Sequence, residues 1–208
     1  MKEMDFCTII EDEINGEAIL KNIERYGRTC YKSEENITET SSKRFIGKII
    51  QMGHESVLEH EKITVRIICD RGVTHEIVRH RLGSYSQEST RYCNYSNEKY
   101  DRNICCITPS YWKNDDTKMN LWRAAMEQAE KQYMALLDAG ATAQEARSVL
   151  PSSLKTEIVV TYNLREWRHF LKLRTSKGSH PQMREIAFGL LDKLKAKIPV
   201  VFDDIETP

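Results

Sequence analysis

Two runs of β-branched residues limit what this chain can fold into. Residues 62–70 (KITVRIICD) and 154–162 (LKTEIVVTY) have the composition of strands. What lies around them follows helical spacing rather than a strand–helix–strand alternation. Ala18, Ile19, Ile23 and Tyr26 mark a helix over 16–27. A second helix, over 41–52, is opened by Ser41 and Ser42 and closed by Gly53. A third follows Gly72 over 73–81. A long amphipathic helix runs over 117–139 and stops before Gly140, and a short one over 141–150 is stopped by Pro151. Two more are read over 165–174 and 181–197. The segment 82–97, dense in Gly, Ser, Gln and Tyr, reads as loop with some extended structure. Strands and helices mixed without a β-α-β rhythm predict an α+β fold with an antiparallel or mixed sheet and long helices, not a Rossmann fold.

The chain has 208 residues with no repeat, low-complexity tract or linker, so a single domain over 1–208 is expected. Hydrophobic residues make up 40% and charged residues 30%, a globular composition. Lys+Arg and Asp+Glu both count 31, which argues against a general nucleic-acid coat. Yet Arg66, Arg71, Arg79, His80, Arg81, Arg91 and Arg102 crowd one stretch, and such a cluster wants an anion. There is no apolar run of membrane-spanning length, and residues 1–6 lack a signal-peptide core, so a cytoplasmic protein is expected. Six cysteines without a C-x-x-C pair read as reduced, mostly buried thiols rather than a zinc site.

The densest chemistry lies at Glu76, Arg79, His80 and Arg81, followed by Gln87, Glu88, Ser89 and Arg91. On a helix over 73–81, Glu76, Arg79 and His80 share a face at i, i+3 and i+4. That face, with the hydroxyl-rich loop, could bind phosphate; it could equally be a solvated charged surface. His75 and His80 are five apart and point roughly 140° from each other on a helix, so no metal site is expected. Residues 54–60 (HESVLEH) form a polar junction between a helix and a strand. A third group comprises Arg147, Asn163, Arg165, His169 and Arg174. Spacing cannot bring all of it around one ligand, since Arg165 and Arg174 fall on opposite sides of one helix. Neither G-x-G-x-x-G nor a P-loop occurs.

Arg79-His80-Arg81, seven residues, then Ser89 is the R-H-R-x7-S signature of the flavin-dependent thymidylate synthases, and the chain resembles that family further. In order come RTCYKS at 28–33, GHESVLEH at 53–60, the signature, ARSVLP at 146–151, YNLR at 162–165, and Leu171, Leu173 and Arg174. The resemblance implies FAD-dependent reductive methylation of dUMP to dTMP. Methylenetetrahydrofolate would be the one-carbon donor, NADPH the reductant, and tetrahydrofolate the other product. It also implies a homotetramer with interfacial active sites and neither a nucleic-acid nor a membrane partner. By the same resemblance FAD contacts fall on Ser56, Glu59, Arg79, His80, Arg81, Gln87, Asn163, Arg165 and His169. Contacts to dUMP fall on Glu76, Arg79, Gln87, Glu88, Ser89, Arg91, Arg147 and Arg174. Arg174 matches the family's activating arginine, a cation placed beside negative charge developing on the uracil edge.

This chain departs from many members at two places. Ser86-Gln87 stands where they carry Asn-Glu, and His169 where some carry Asn. A reading from another class is a nucleotide or RNA binder that uses the Arg79–Arg91 patch with Tyr85, Tyr92 and Tyr95 as stacking surfaces.

Overall fold

A computed structural model describes residues 1–206. Six strands form two sheets. In the smaller, β1 (Lys2–Met4) pairs in parallel with β5 (Cys105–Ile107). The larger has the order β2 (Cys7–Ile10), β3 (Lys62–Asp70), β6 (Lys155–Asn163), β4 (Gly83–Gln87). Between β3 and β6, Thr64 meets Thr161 and Arg66 meets Glu157. Numbers rise on one strand and fall on the other, so this pair is antiparallel. Both strands alternate buried and half-buried residues for most of their length, the two-residue period their sequences carry. The helices are α1 (Gly16–Tyr31), α2 (Ser41–Gln51), α3 (Arg71–Ile77), α4 (Asp116–Asp138), α5 (Ala143–Ala146), α6 (Leu164–Arg174), α7 (Pro181–Lys197) and α8 (Pro199–Phe202). The class is α+β, with a mixed set of strands, as the sequence predicts.

The chain divides into two compact units. The first comprises residues 1–7, 66–79 and 85–159. Its core gathers Tyr95, Ile104, Cys106, Met119, Trp122, Tyr133 and Leu154, with α4 supplying Met119, Trp122 and Tyr133 from one face. The second comprises, among the described residues, 8–65, 80–84 and 160–206. There α7 starts with Pro181 at its first turn and buries Met183, Ile186, Ala187, Leu190, Leu191 and Leu194, an unbroken helical stripe. Trp167 on α6 is fully buried and donates its indole N–H to the Ile63 carbonyl at 2.9 Å. Its neighbour Arg168 is 1% exposed and donates to Glu55 and Asp204, so its charge is fully partnered. Gly83 in β4 is required by close approach. A Cβ there would sit 2.2 Å from Cδ1 of Tyr162 on β6.

Three expectations need correction. The helix read over 73–81 is Arg71–Ile77. Asp70 sets its start by accepting from the Val73 N–H at 2.7 Å, and it closes where Arg79 N–H turns back to the Glu76 carbonyl, a tightened last turn. Arg79 and His80 therefore lie beyond it and share no helical face with Glu76. The helix read over 141–150 is one turn, Ala143–Ala146, followed by a 3-10 turn at Arg147–Val149. Within 82–97, the extended part is β4. The cysteines are all free, but only Cys69 and Cys106 are buried, while Cys30 is exposed. Among the described residues no helix is long and apolar enough to cross a membrane.

Candidate active site

The second unit carries a chain of hydrogen bonds through its one buried histidine. Strand β6 ends at Asn163, whose side chain accepts from the Glu166 N–H at 2.8 Å and so starts α6. From that start, Glu166, Phe170 and Arg174 follow at i, i+4 and i+8 along one side of α6. His80 meets all three. Its Nδ1 lies 3.1 Å from Glu166 Oε1, its ring is 4.9 Å from the Phe170 ring, and its Nε2 accepts from Arg174 Nε at 3.0 Å. Burial, with Arg174 and His169 adding to it, pulls the His80 pKa down to about 4, so the ring is neutral near pH 7. Burial also pushes the Glu166 carboxyl above its ordinary value. An Nε2 that accepts from a guanidinium carries no proton, so the ring's proton is on Nδ1 and is donated to Glu166.

Around this chain the other residues are exposed. His169 stands with its ring 5.4 Å from that of His80. Arg165, on the opposite side of α6 from Arg174, is paired with Glu59 at 2.5 Å. Ser56 and Arg81 are exposed. Ser56 lines a cavity of about 200 Å³ with Tyr31 and His54, whose hydroxyl and Nδ1 are 2.9 Å apart.

The first unit carries the other set. Gln87, at the end of β4, donates through Nε2 to Thr74 at 3.0 Å and Thr156 at 3.3 Å. Glu88 accepts from the Tyr95 hydroxyl at 2.9 Å and from Lys155 at 3.0 Å. Burial opposes the Lys155 charge, but its hydrogen bonds to Glu157 and Glu88 outweigh that and raise its pKa. Lys155, with Arg66 adding to it, holds the Glu157 carboxyl below its ordinary value against the opposing effect of burial. Ser86, Gln87, Glu88, Arg66 and Lys155 line a cavity of about 420 Å³. Ser89 Oγ accepts from the Arg91 N–H at 3.3 Å, and Arg91 donates from Nε to Gln144 at 3.1 Å. Arg147 is exposed at the start of its 3-10 turn, Arg79 is exposed beyond α3, and Glu76 is half-buried on α3.

The cationic residues of both sets suit anionic ligands, and a dinucleotide diphosphate is of that kind. A cation suits the site less. Among the described residues one trio, His80, Glu166 and His169, brings potential ligand atoms within 4.8 Å of one another. However, both His80 nitrogens are already engaged, one of them by a guanidinium, so an ion would have to displace Arg174.

A family model described as thymidylate synthase complementing protein matches residues 15–200. The chain belongs to this family. Among curated members, the flavin-dependent thymidylate synthase of Geobacter sulfurreducens is 34% identical over 184 residues, covering 85% of this chain and 78% of that protein. The one from Pyrococcus furiosus is 34% identical over 173 residues, covering 83% of this chain and 70% of that protein. A crystal structure of a UMP/dUMP methylase, PolB from Streptomyces cacaoi, bound with 5-Br dUMP, shares the fold at a TM-score of 0.81. That match covers 100% of both chains at 22% sequence identity. Several residues that contact the candidate positions are not singled out by the sequence, namely Glu166, Thr74, Thr156, Lys155 and Gln144, while Tyr95, singled out there only as a stacking surface, donates to Glu88. Only Glu166 had a readable signal, the Asn-x-x-Glu pattern at a helix start.

Proposed function

We propose that this chain is a flavin-dependent thymidylate synthase, converting dUMP to dTMP with methylenetetrahydrofolate as one-carbon donor and NADPH as reductant. Membership of the family over residues 15–200 carries this reading, and the positions of the signature, its satellites and Arg174 all fall within that range. Bound FAD would supply the hydride chemistry, and the chain's own residues bind, orient and polarise.

We assign FAD contacts to Ser56, Glu59, Arg79, His80, Arg81, Gln87, Asn163, Arg165 and His169, and dUMP contacts to Glu76, Arg79, Gln87, Glu88, Ser89, Arg91, Arg147 and Arg174. The exposed cations in each set support the assignment. Arg79, Arg81, Arg165 and His169 are exposed and suit a diphosphate, and Arg91 and Arg147 are exposed and suit a nucleotide phosphate. Arg174 is the catalytic residue, stabilising charge that grows on the uracil ring as the reaction proceeds. Among the described residues no side-chain base accepts from Ser89; its Oγ accepts from a backbone N–H, as suits a positioning hydroxyl rather than a nucleophile.

In this reading 1–208 works as one domain, and four copies form a homotetramer with shared sites. The size of the ligands supports this, since FAD, dUMP and folate each need much of their surface covered. A cytoplasmic location goes with the reading and with the six free thiols. The test is anaerobic incubation of the yellow protein, absorbing at about 450 nm, with NADPH, dUMP and methylenetetrahydrofolate. Formation of dTMP is expected. A colourless protein that makes none overturns the reading.

A further inference from the structure

Arg174 is the last residue of α6, where an arginine with four rotatable side-chain bonds would ordinarily sample many rotamers. Here its Nε is held by a ring nitrogen of a side chain that is 4% exposed. That nitrogen can accept only while it carries no proton. Which nitrogen of a neutral imidazole is bare depends on what the other one faces. Nδ1 of His80 faces a carboxylate oxygen, an obligate acceptor when ionised, so the proton stays on Nδ1 and Nε2 stays bare. The two bonds are thus one device. Glu166 selects the tautomer, and the tautomer holds the arginine.

We infer that Glu166 is a positioning residue for the synthase reaction, fixing His80 in its Nδ1–H tautomer so that Nε2 holds Arg174 in its working orientation. This rests on the function proposed above. The geometry supports it at each link. Glu166 is buried and starts on the same helix as Arg174, two turns earlier on the same side. Phe170 lies between them along that side and stacks edge-on to the imidazole, which limits rotation of the ring. Tyr162 closes on the ring at 6.2 Å and is itself packed on Trp167 at 4.6 Å. Replace Glu166 with an apolar side chain, and Nδ1–H is left buried without that acceptor. The bias toward Nδ1–H is then weakened and the Nε2–H tautomer becomes populated, which puts one N–H against another at the Arg174 contact and loosens the guanidinium.

Two variants and one spectrum test this. Glu166→Leu removes the acceptor. Glu166→Gln keeps a carbonyl oxygen that can still take the Nδ1 proton. For Glu166→Leu, kcat should fall about ten- to a hundredfold, as for loss of a hydrogen bond to a charged group, while flavin content and KM for dUMP stay within about twofold. Glu166→Gln should recover most of the loss. In the wild-type protein, ¹⁵N shifts of labelled histidine, assigned by comparison with His80→Gln, should report a protonated Nδ1 and a bare Nε2 at His80. That spectrum needs no activity. If it shows the expected tautomer but no dTMP forms, the synthase reading has failed and the tautomer arrangement stands. A wild-type Nε2–H tautomer overturns the inference outright, even if Glu166→Leu does not fold. So does wild-type kcat in Glu166→Leu, or an equal loss in Leu and Gln variants.

Discussion

Arg174 and His80 lie 94 positions apart in the chain and meet at 3.0 Å, the guanidinium donating to a bare imidazole nitrogen. One residue ends the last motif and the other is the middle of the signature. Their contact gives the signature histidine a task that its exposed neighbours Arg79 and Arg81 do not share.

Arg174→Ala should leave a folded protein with its flavin and very low turnover. Loss of a fixed donor beside a developing anion costs about 3 to 4 kcal/mol, or two to three orders of magnitude in kcat. Arg174→Lys should also be poor, because an ammonium has no Nε to give to His80 while its charge faces the substrate. Steady-state dTMP formation and flavin content measure both, and near wild-type kcat in the alanine variant overturns the assignment.

Ser89→Ala should weaken dUMP binding or slow turnover by about two- to tenfold, the value of one neutral hydrogen bond. Product should remain measurable. A covalent adduct trapped on Ser89 in the native protein, with no chemistry left in the variant, would contradict a positioning role.

A protein altered at Gln87 and Arg91, mixed by refolding with one altered at Arg174, should regain a fraction of wild-type activity if those residues serve one site from different copies. Sizing should report a tetramer. An active monomer, or a tetramer in which no such pair complements, rejects the shared site.

Lowering the pH should destabilise the fold partly through His80. Below about pH 6.5 the unfolded chain takes a proton on this imidazole, and the folded chain does not until about pH 4. In that window the unfolded state binds more protons, so stability falls with pH. Glu166, whose carboxyl is raised, acts in the opposite sense just above its ordinary range. His80→Asn should therefore show a shallower loss of melting temperature between pH 7 and 4.5 than the wild type. Parallel slopes would show that His80 does not contribute.

Gly83→Ala should destabilise by about 1 to 3 kcal/mol, since an added Cβ overlaps the Tyr162 ring. A melting temperature within about a degree of wild type would mean that β4 and β6 part easily.

The strands and long helices were legible because each carries its own period. Lys62–Asp70 and Pro181–Lys197 have the bounds read from the sequence. The sequence pattern carries the helix after Gly72 four residues past its end at Ile77, because charged residues at helical spacing look the same whether the backbone continues or turns out at Val78. Family motifs named Arg174 and His80, but nothing local shows that Arg174 points back along α6 to a residue before β4. The partners of Gln87 and Glu88 were invisible for a like reason. Thr74, Thr156 and Lys155 are ordinary strand and helix residues until the sheet brings them together.

Asn163, one of the proposed flavin contacts, already uses its side-chain oxygen to start α6. Replacing it with alanine removes a cap worth about 1 kcal/mol and loosens the first turn of α6, which carries Glu166. Flavin lost from such a variant would not show that Asn163 ever touched flavin. Aspartate or serine at that position separates the two meanings, because either can still begin the helix while neither presents an amide. A survey that scores this position by alanine alone therefore does not separate architecture from recognition.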